Sequence, residues 1–369
     1  MKKVIFLIHD LCQGGAEKVL VNLVNNMDKS KFDVTVMSLF DVGVNKQFLN
    51  NNIKYIGCFK HAVPGNSHYM KLLTPKQLYK WLVKDDYDIV ISYLEGPTAR
   101  IAGGAPEHVK VVSWVHATLS KNSDISKSFR NFSEAKKCYS RADIMVYVSE
   151  RVKEVFQQNC PTENNLVLYN TIETKDIIEK SSESITNYNF DSKCFNWCGV
   201  GKIVSAKGFD RMLKIQKRLL SEGYNTHFHA LGIGDQLDEF KNWCVENDIS
   251  DHVTFWGYQT NPYKYVAKCD LYVCASYAEG FSTAATEALI VGTPVCTVDV
   301  SGMKEMLGNN NEYGIVTEND DEQLYLAIKS LIDSPSLLEH YKAKALERGT
   351  KFSTENTVHA VEEMLASLI

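Results

Sequence analysis

The chain reads as an α/β protein built from two doubly wound, mostly parallel sheets. Short apolar runs alternate with helical patterns from one end to the other, the arrangement that parallel sheets with crossover helices require. At 369 residues the chain exceeds what one ordinary core organises. A polar stretch rich in Ser, Glu and Lys, residues 173–187, falls near the middle and reads as a linker. These observations divide the chain into an N-terminal domain over residues 1–175 and a C-terminal domain over residues 176–353.

The first apolar run, residues 4–8, is too short for a signal peptide and ends in His9-Asp10, so it reads as a buried strand. Gly14-Gly15 follows it, and a helix begins near Ala16. Further strands are expected at 34–39, 89–93, 111–115, 144–148 and 166–169, the fourth of these six ending at His116. Between them, residues 61–82 combine Pro64-Gly65-Asn66-Ser67 with Tyr69, Met70, Leu72, Leu73, Tyr79 and Trp81. That pattern fits a surface loop and an amphipathic helix, or a segment shaping an acceptor cleft. In the second half, strands are expected at 195–200, 226–232, 253–256, 271–275 and 294–298.

The composition is that of a soluble globular protein, 44% hydrophobic and 23% charged with a formal net charge of -5. No apolar stretch is long enough to span a bilayer. The ten cysteines have no repeating pairs, and Cys194 and Cys198 read as core thiols on a strand rather than half a zinc site. A cytoplasmic protein with reduced thiols is the expectation, and no motif points to nucleic acid. Residues 1–180 carry 24 Lys plus Arg against 19 Asp plus Glu, and the remainder 16 against 26. The basic half would suit an anionic acceptor or a peripheral membrane contact.

The richest stretch is Glu279-Gly280-Phe281-Ser282-Thr283-Ala284-Ala285-Thr286-Glu287, after the strand at 271–275. Glu279 falls in the strand's exit loop, where ligands of open α/β sheets bind, and Glu287 about two turns into the next helix. The amides of Phe281, Ser282 and Thr283 open that helix, and with its dipole they favour an anion. The loop therefore offers acceptors for hydroxyls and donors for a phosphate.

This pattern resembles the E-x7-E signature of retaining glycosyltransferases of family 4, which have the GT-B fold of two Rossmann-like domains facing across a cleft. Gly199-Val200-Gly201-Lys202, Lys207-Gly208-Phe209-Asp210, Leu231-Gly232-Ile233-Gly234-Asp235 and Val253-Thr254-Phe255-Trp256-Gly257 precede it in the family's order, and Gly14-Gly15 matches the glycine-rich donor loop. The resemblance implies that a final helix, residues 354–369, crosses back onto the N-terminal domain. That domain would take the acceptor, and the other a nucleotide-sugar donor, UDP-linked above all.

Within that resemblance, Lys202 and Lys207 clamp the diphosphate, with Lys202 standing where the family usually has arginine. Glu279 holds the ring hydroxyls of the transferred sugar and Glu287 the ribose. His116 contacts the donor sugar's primary hydroxyl, and His9 is a further candidate. Gly14, Gly15, Gly201, Gly234 and Gly280 let the backbone approach the donor, Phe281, Ser282 and Thr283 supply amides, and Tyr258 covers the base. Asn170 belongs to a partly matched hinge sequence. Front-face attack, with the leaving phosphate taking the acceptor's proton, is the implied mechanism.

Asp85-Asp86-Tyr87-Asp88 and Asp320-Asp321 are not placed to hold a metal between phosphates, so no metal and no cofactor are expected. The expected function is transfer of a hexose or N-acetylhexosamine to a glycan or lipid-linked glycan in cell-envelope polysaccharide synthesis. A sugar-nucleotide epimerase or hydrolase on the same fold is the alternative enzyme, and a non-catalytic nucleotide-sugar-binding protein the alternative outside catalysis. A dehydrogenase is disfavoured, because no Gly-x-Gly-x-x-Gly follows the first strand.

Overall fold

The computed structural model describes residues 1–12, 14–60, 70–186, 188–278, 281–300 and 302–368. The chain forms two compact units, Met1–Ile172 with Thr354–Ile369, and Glu173–Ser353. Each is an α/β unit around one parallel sheet, the class read from the sequence.

In the N-terminal unit the strands are β1 (Lys2–Ile8), β2 (Phe32–Phe40), β3 (Lys54–Phe59), β4 (Ile89–Ser92), β5 (Lys110–Val115), β6 (Ile144–Tyr147) and β7 (Asn165–Val167). Their order across the sheet is β3-β2-β1-β4-β5-β6-β7. Val4, Ile5, Phe6, Leu7 and Ile8 are all buried, as are Val111, Val112 and Val115, because helices cover both faces. Strand order reverses between β1 and β4, so their carboxyl ends flank a crevice at the topological switch point. The last helix, Thr354–Ala366, belongs to this unit: Thr354 Oγ1 donates to Ile172 O at 2.7 Å, the Asp28 amide donates to Glu362, and Val358, Val361 and Leu365 are buried.

The C-terminal unit repeats the design with β8 (Phe195–Val200), β9 (Thr226–Leu231), β10 (Val253–Gly257), β11 (Leu271–Cys274), β12 (Val295–Val298) and β13 (Ile315–Thr317), in the order β10-β9-β8-β11-β12-β13. The reversal here lies between β8 and β11, which pair through Leu271 with Trp197 and Tyr272 with Cys198. The core gathers Trp197, Phe209, Phe228, Leu271, Val273 and Cys296.

The sequence reading needs correction at two edge strands and at the linker, while the helix it allowed within 61–82 is present. β3 and β13 lie on sheet edges and were not anticipated. The polar stretch expected as a linker folds into the helix Thr174–Ser181, which buries Ile177 and whose Lys180 carbonyl accepts from Asn261 Nδ2 at 2.9 Å. The segment 61–82 contains the helix Pro75–Leu82, opened by a reciprocal Thr74 and Gln77 cap, while residues 61–69 lie outside the described residues. Cys198 is buried in β8 and Cys194 is half-buried. Among the described residues no group of His, Cys, Asp and Glu could hold a metal, and no helix is long and apolar enough to cross a membrane.

Candidate functional site: two switch points and the loops that frame them

In the C-terminal unit, hydrogen bonds lace the exits of β8, β9 and β10 together. The amides of Gly201 and Ile203 donate to Leu231 O at 3.0 Å and Ile233 O at 2.9 Å, and the Gly232 amide donates to Gly257 O at 2.9 Å. Two glycines make this approach possible. A Cβ on Gly232, whose φ is +144°, would lie 1.8 Å from Gly201 O, and one on Gly234 would lie 2.0 Å from Ile203 O. Gly234 therefore has a packing reason of its own. Gly201 differs, since a Cβ there would meet only Lys207 side-chain carbons at 3.9 Å.

The turn bearing Lys202 and Lys207 is joined to the exit of β11. The Lys207 amide donates to Val204 O at 3.0 Å and the Tyr277 amide to Ala206 O at 2.9 Å. Lys202 is exposed and Lys207 half-buried. Sequence reasoning missed the next layer, Arg211 and Tyr277. Arg211, 5% exposed, donates from Nη1 to Ala275 O at 3.3 Å and to Asn319 Oδ1 at 2.6 Å, and its Nε lies 2.7 Å from Asp321 Oδ1. Its guanidinium lies 4.0 Å from the centre of the Tyr277 ring, and Tyr277 Oη donates to Asp210 Oδ2 at 3.1 Å.

Glu279 and Gly280 lie outside the described residues. Beyond them, Phe281 is buried with its ring 6.1 Å from that of Phe352. Ser282 caps the helix Thr283–Ile290, its Oγ accepting from the Ala285 amide at 3.3 Å, so the positive end of the helix opens at the β11 exit. Thr283 and Glu287 are half-buried on this helix. Glu287 Oε1 accepts from Tyr263 Oη at 3.3 Å, a partner that the run Asn261-Pro262-Tyr263 after Tyr258 did not betray. Tyr258 follows β10 and is 53% exposed. A cavity of about 380 Å³ borders this layer, lined among others by Ser205, Asp210, Gln236, Trp243 and Tyr277 and by none of the residues predicted for the site.

In the N-terminal unit, the loop after β1 is held from below. A Cβ on Gly43, whose φ is +122°, would lie 1.9 Å from the Leu11 carbonyl carbon, and the Asn45 amide donates to Leu11 O at 2.9 Å. Gly14 adopts an extended backbone as N-cap of the helix Gly15–Asn26, with its amide donating to Cys12 O at 2.9 Å. His9 Nδ1 lies 2.7 Å from Asp10 Oδ2, and its ring packs edge-on against Phe40. Asn170 is buried after β7.

His116 leaves β5 with its ring centre 4.9 Å from that of Tyr93 and 6.2 Å from that of Trp114. Its amide donates to Glu95 Oε2 at 2.9 Å. Burial pushes the imidazole down to about 3, so it is neutral near pH 7. Its Nε2 is buried and has no hydrogen-bond partner among the described residues.

Two family descriptions match successive parts of the chain. Residues 13–176 match Glycosyltransferase Family 4, and residues 182–348 match Glycosyl transferases group 1. The chain is a family 4 type glycosyltransferase. Solved structures agree on the GT-B fold of this glycosyltransferase: that of Anabaena HepE with UDP and glucose superposes with a TM-score of 0.79 at 17% identity, covering 100% of both chains. Among characterised relatives, the Campylobacter jejuni N-acetylgalactosamine-N,N'-diacetylbacillosaminyl-diphospho-undecaprenol 4-alpha-N-acetylgalactosaminyltransferase is 27% identical over 366 residues, spanning 95% of this glycosyltransferase and 96% of the relative. The Salmonella typhimurium lipopolysaccharide 1,6-galactosyltransferase is 24% identical over 322 residues, 81% of each.

Proposed function

We propose that this glycosyltransferase moves a hexose or N-acetylhexosamine from a UDP-sugar, with retention, onto a lipid-linked glycan in cell-envelope polysaccharide synthesis. The observation that carries the donor reading is the joining of the Lys202–Lys207 turn to the exit of β11, the strand that the Thr283–Ile290 helix follows in the chain. In this reading two ammonium groups and a helix dipole act together on the diphosphate, the means by which charge growing on a departing diphosphate is stabilised. HepE, solved with UDP and glucose, supports the donor class. The name of the Campylobacter relative, with its diphospho-undecaprenol, supports a lipid-linked acceptor.

In this reading Lys202 and Lys207 neutralise the diphosphate, helped by the amides of Phe281, Ser282 and Thr283. Glu287, oriented by Tyr263, accepts from the ribose hydroxyls, and Glu279 holds the transferred sugar. Tyr258 covers the base. Gly201, where a Cβ would meet only Lys207 side-chain carbons at 3.9 Å, leaves its backbone open to the donor, and Gly14, Gly15 and Gly280 are the further glycines whose backbone the donor approaches. Gly234 acts through packing. His116 supplies Nε2 to a donor-sugar hydroxyl. The acceptor hydroxyl attacks the anomeric carbon on the face the diphosphate leaves, and the leaving phosphate oxygen takes its proton. No metal is required, and the enzyme works at the cytoplasmic face of the membrane as a peripheral protein.

The experiment is incubation with UDP-, GDP- and ADP-sugars in the presence of a chelator, following nucleotide release. Slow release from one or more UDP-sugars is expected. Release from GDP- or ADP-sugars alone would overturn the donor assignment, and dependence on added divalent metal would overturn the metal-free clamp.

A further inference from the structure

The β4 exit carries a carboxylate that the reaction scheme above leaves unused. β4 and β5 are parallel neighbours, with Ser92 opposite Ser113, so the Leu94–Gly96 turn and His116 leave the sheet side by side. That turn is rigidly made. Ser92 Oγ donates to Leu94 O at 2.7 Å, Thr98 Oγ1 donates to the same carbonyl at 2.6 Å, and the Gly96 amide donates to Tyr139 Oη at 3.3 Å. Gly96 has φ +90°, which sends the chain sharply into Pro97 and the helix Pro97–Ala102. Glu95 is thereby set against the β5 exit, its Oε2 2.9 Å from the His116 amide nitrogen.

A glutamate in this place is costly. Burial pushes its carboxyl up, and backbone hydrogen bonds from His116, from Glu95 itself and from Ala117 only partly offset this. A turn needing no more than a cap could take a smaller, uncharged acceptor. Beside it, the imidazole ring of His116 packs against Tyr93, and its Nε2 is buried with no partner among the described residues. An orphaned polar atom of that kind calls for an explanation, and a substrate hydroxyl provides one.

We propose that Glu95 is the positioning residue for His116: by accepting the His116 and Ala117 amides it fixes the strand exit so that His116 Nε2 meets a hydroxyl of the transferred sugar. This rests on the donor-site reading of His116. Glu95 itself does not touch the reacting atoms.

The test compares Glu95→Ala, Glu95→Gln and His116→Ala in kcat, KM for donor, UDP affinity and thermal midpoint. Glu95→Gln keeps an oxygen that can accept an amide, whereas Glu95→Ala keeps none. Glu95→Ala is expected to lower kcat about 100-fold, the scale of a misplacement near 1 Å, with UDP affinity unchanged. Glu95→Gln is expected to recover most of that loss. A kcat within twofold of wild type in Glu95→Ala would overturn the proposal, as would Glu95→Gln being as impaired as Glu95→Ala. If Glu95→Ala does not fold, Glu95→Asp replaces it, since the shorter side chain withdraws the oxygen, and the same two outcomes apply. Wild-type kcat in His116→Ala would show that the reading of His116 had failed; loss there with an active Glu95→Ala would isolate the failure to Glu95.

Discussion

A Cβ on Gly208 would lie 2.0 Å from the carbonyl oxygen of Ala275. Gly208 has φ +67°, so the Lys207 turn and the β11 exit approach each other through a position that only glycine fills without strain. The same carbonyl accepts from buried Arg211, so the contact is clamped from two sides. Gly208→Ala is therefore expected to cost about 2 kcal/mol or more in stability, combining an unfavourable backbone conformation with a clash against rigid backbone. Chemical denaturation measures it. A loss below about 0.5 kcal/mol would mean that the turn moves freely.

The pairing of Tyr263 with Glu287 predicts a smaller effect on nucleotide binding. Tyr263→Phe removes the hydroxyl that donates to Glu287 Oε1 at 3.3 Å and leaves the buried ring in place. A hydrogen bond to a charged group is worth about 1.5–3 kcal/mol, and since Tyr263 acts on the ligand only through Glu287 a part of that, about fivefold in UDP affinity, should be lost. Calorimetric titration decides it. Unaltered affinity would remove Tyr263 from the site.

Histidine burial gives the stability of the C-terminal unit a pH dependence of known sign. His229 is fully buried, with Nδ1 accepting from Trp256 Nε1 at 3.2 Å and Nε2 3.0 Å from Asn196 Oδ1. A second ring proton would point at the indole N–H. Desolvation, then repulsion from His227, pushes its pKa down to about 3. Between that value and the unfolded value near 6.5, the unfolded chain binds the extra proton. Stability therefore falls as pH drops through this window, by about 1.4 kcal/mol per pH unit from this residue. His229→Gln should flatten the dependence of the melting midpoint between pH 7 and pH 5. An unchanged slope would contradict the assignment.

The central strands were legible because a parallel sheet covered on both faces writes itself as an unbroken apolar run, as in Val4 to Ile8. The edge strands β3 and β13 write no such run, unlike the edge strands β7 and β10. β3 alternates half-exposed residues with Lys54 and Gly57, and β13 has only three residues. The helix Thr174–Ser181 was read as linker because its polar composition hides the one apolar side chain it buries deeply, Ile177. Of the proposed site, the residues in recognisable motifs are the ones that sequence can name: Lys202 and Lys207 lie at the exit of β8 and Glu287 on the helix after β11, two strands that pair. Arg211, Tyr263 and Glu95 could not. Their roles come from neighbours distant in sequence, such as Ala275 for Arg211 and His116 for Glu95, and no local pattern encodes those. Gly201 and Gly234 looked alike in sequence, and only the position of Ile203 O separates them.

The most direct test of the donor site is calorimetric titration of UDP, in chelator, into the wild-type protein, Lys207→Ala and Glu287→Gln. The account predicts that wild type binds UDP without metal, and that each substitution weakens binding about 10-fold or more, since each removes a charged partner of a desolvated ligand group. UDP binding that both variants leave unchanged, or that appears only when divalent metal is added, would contradict it.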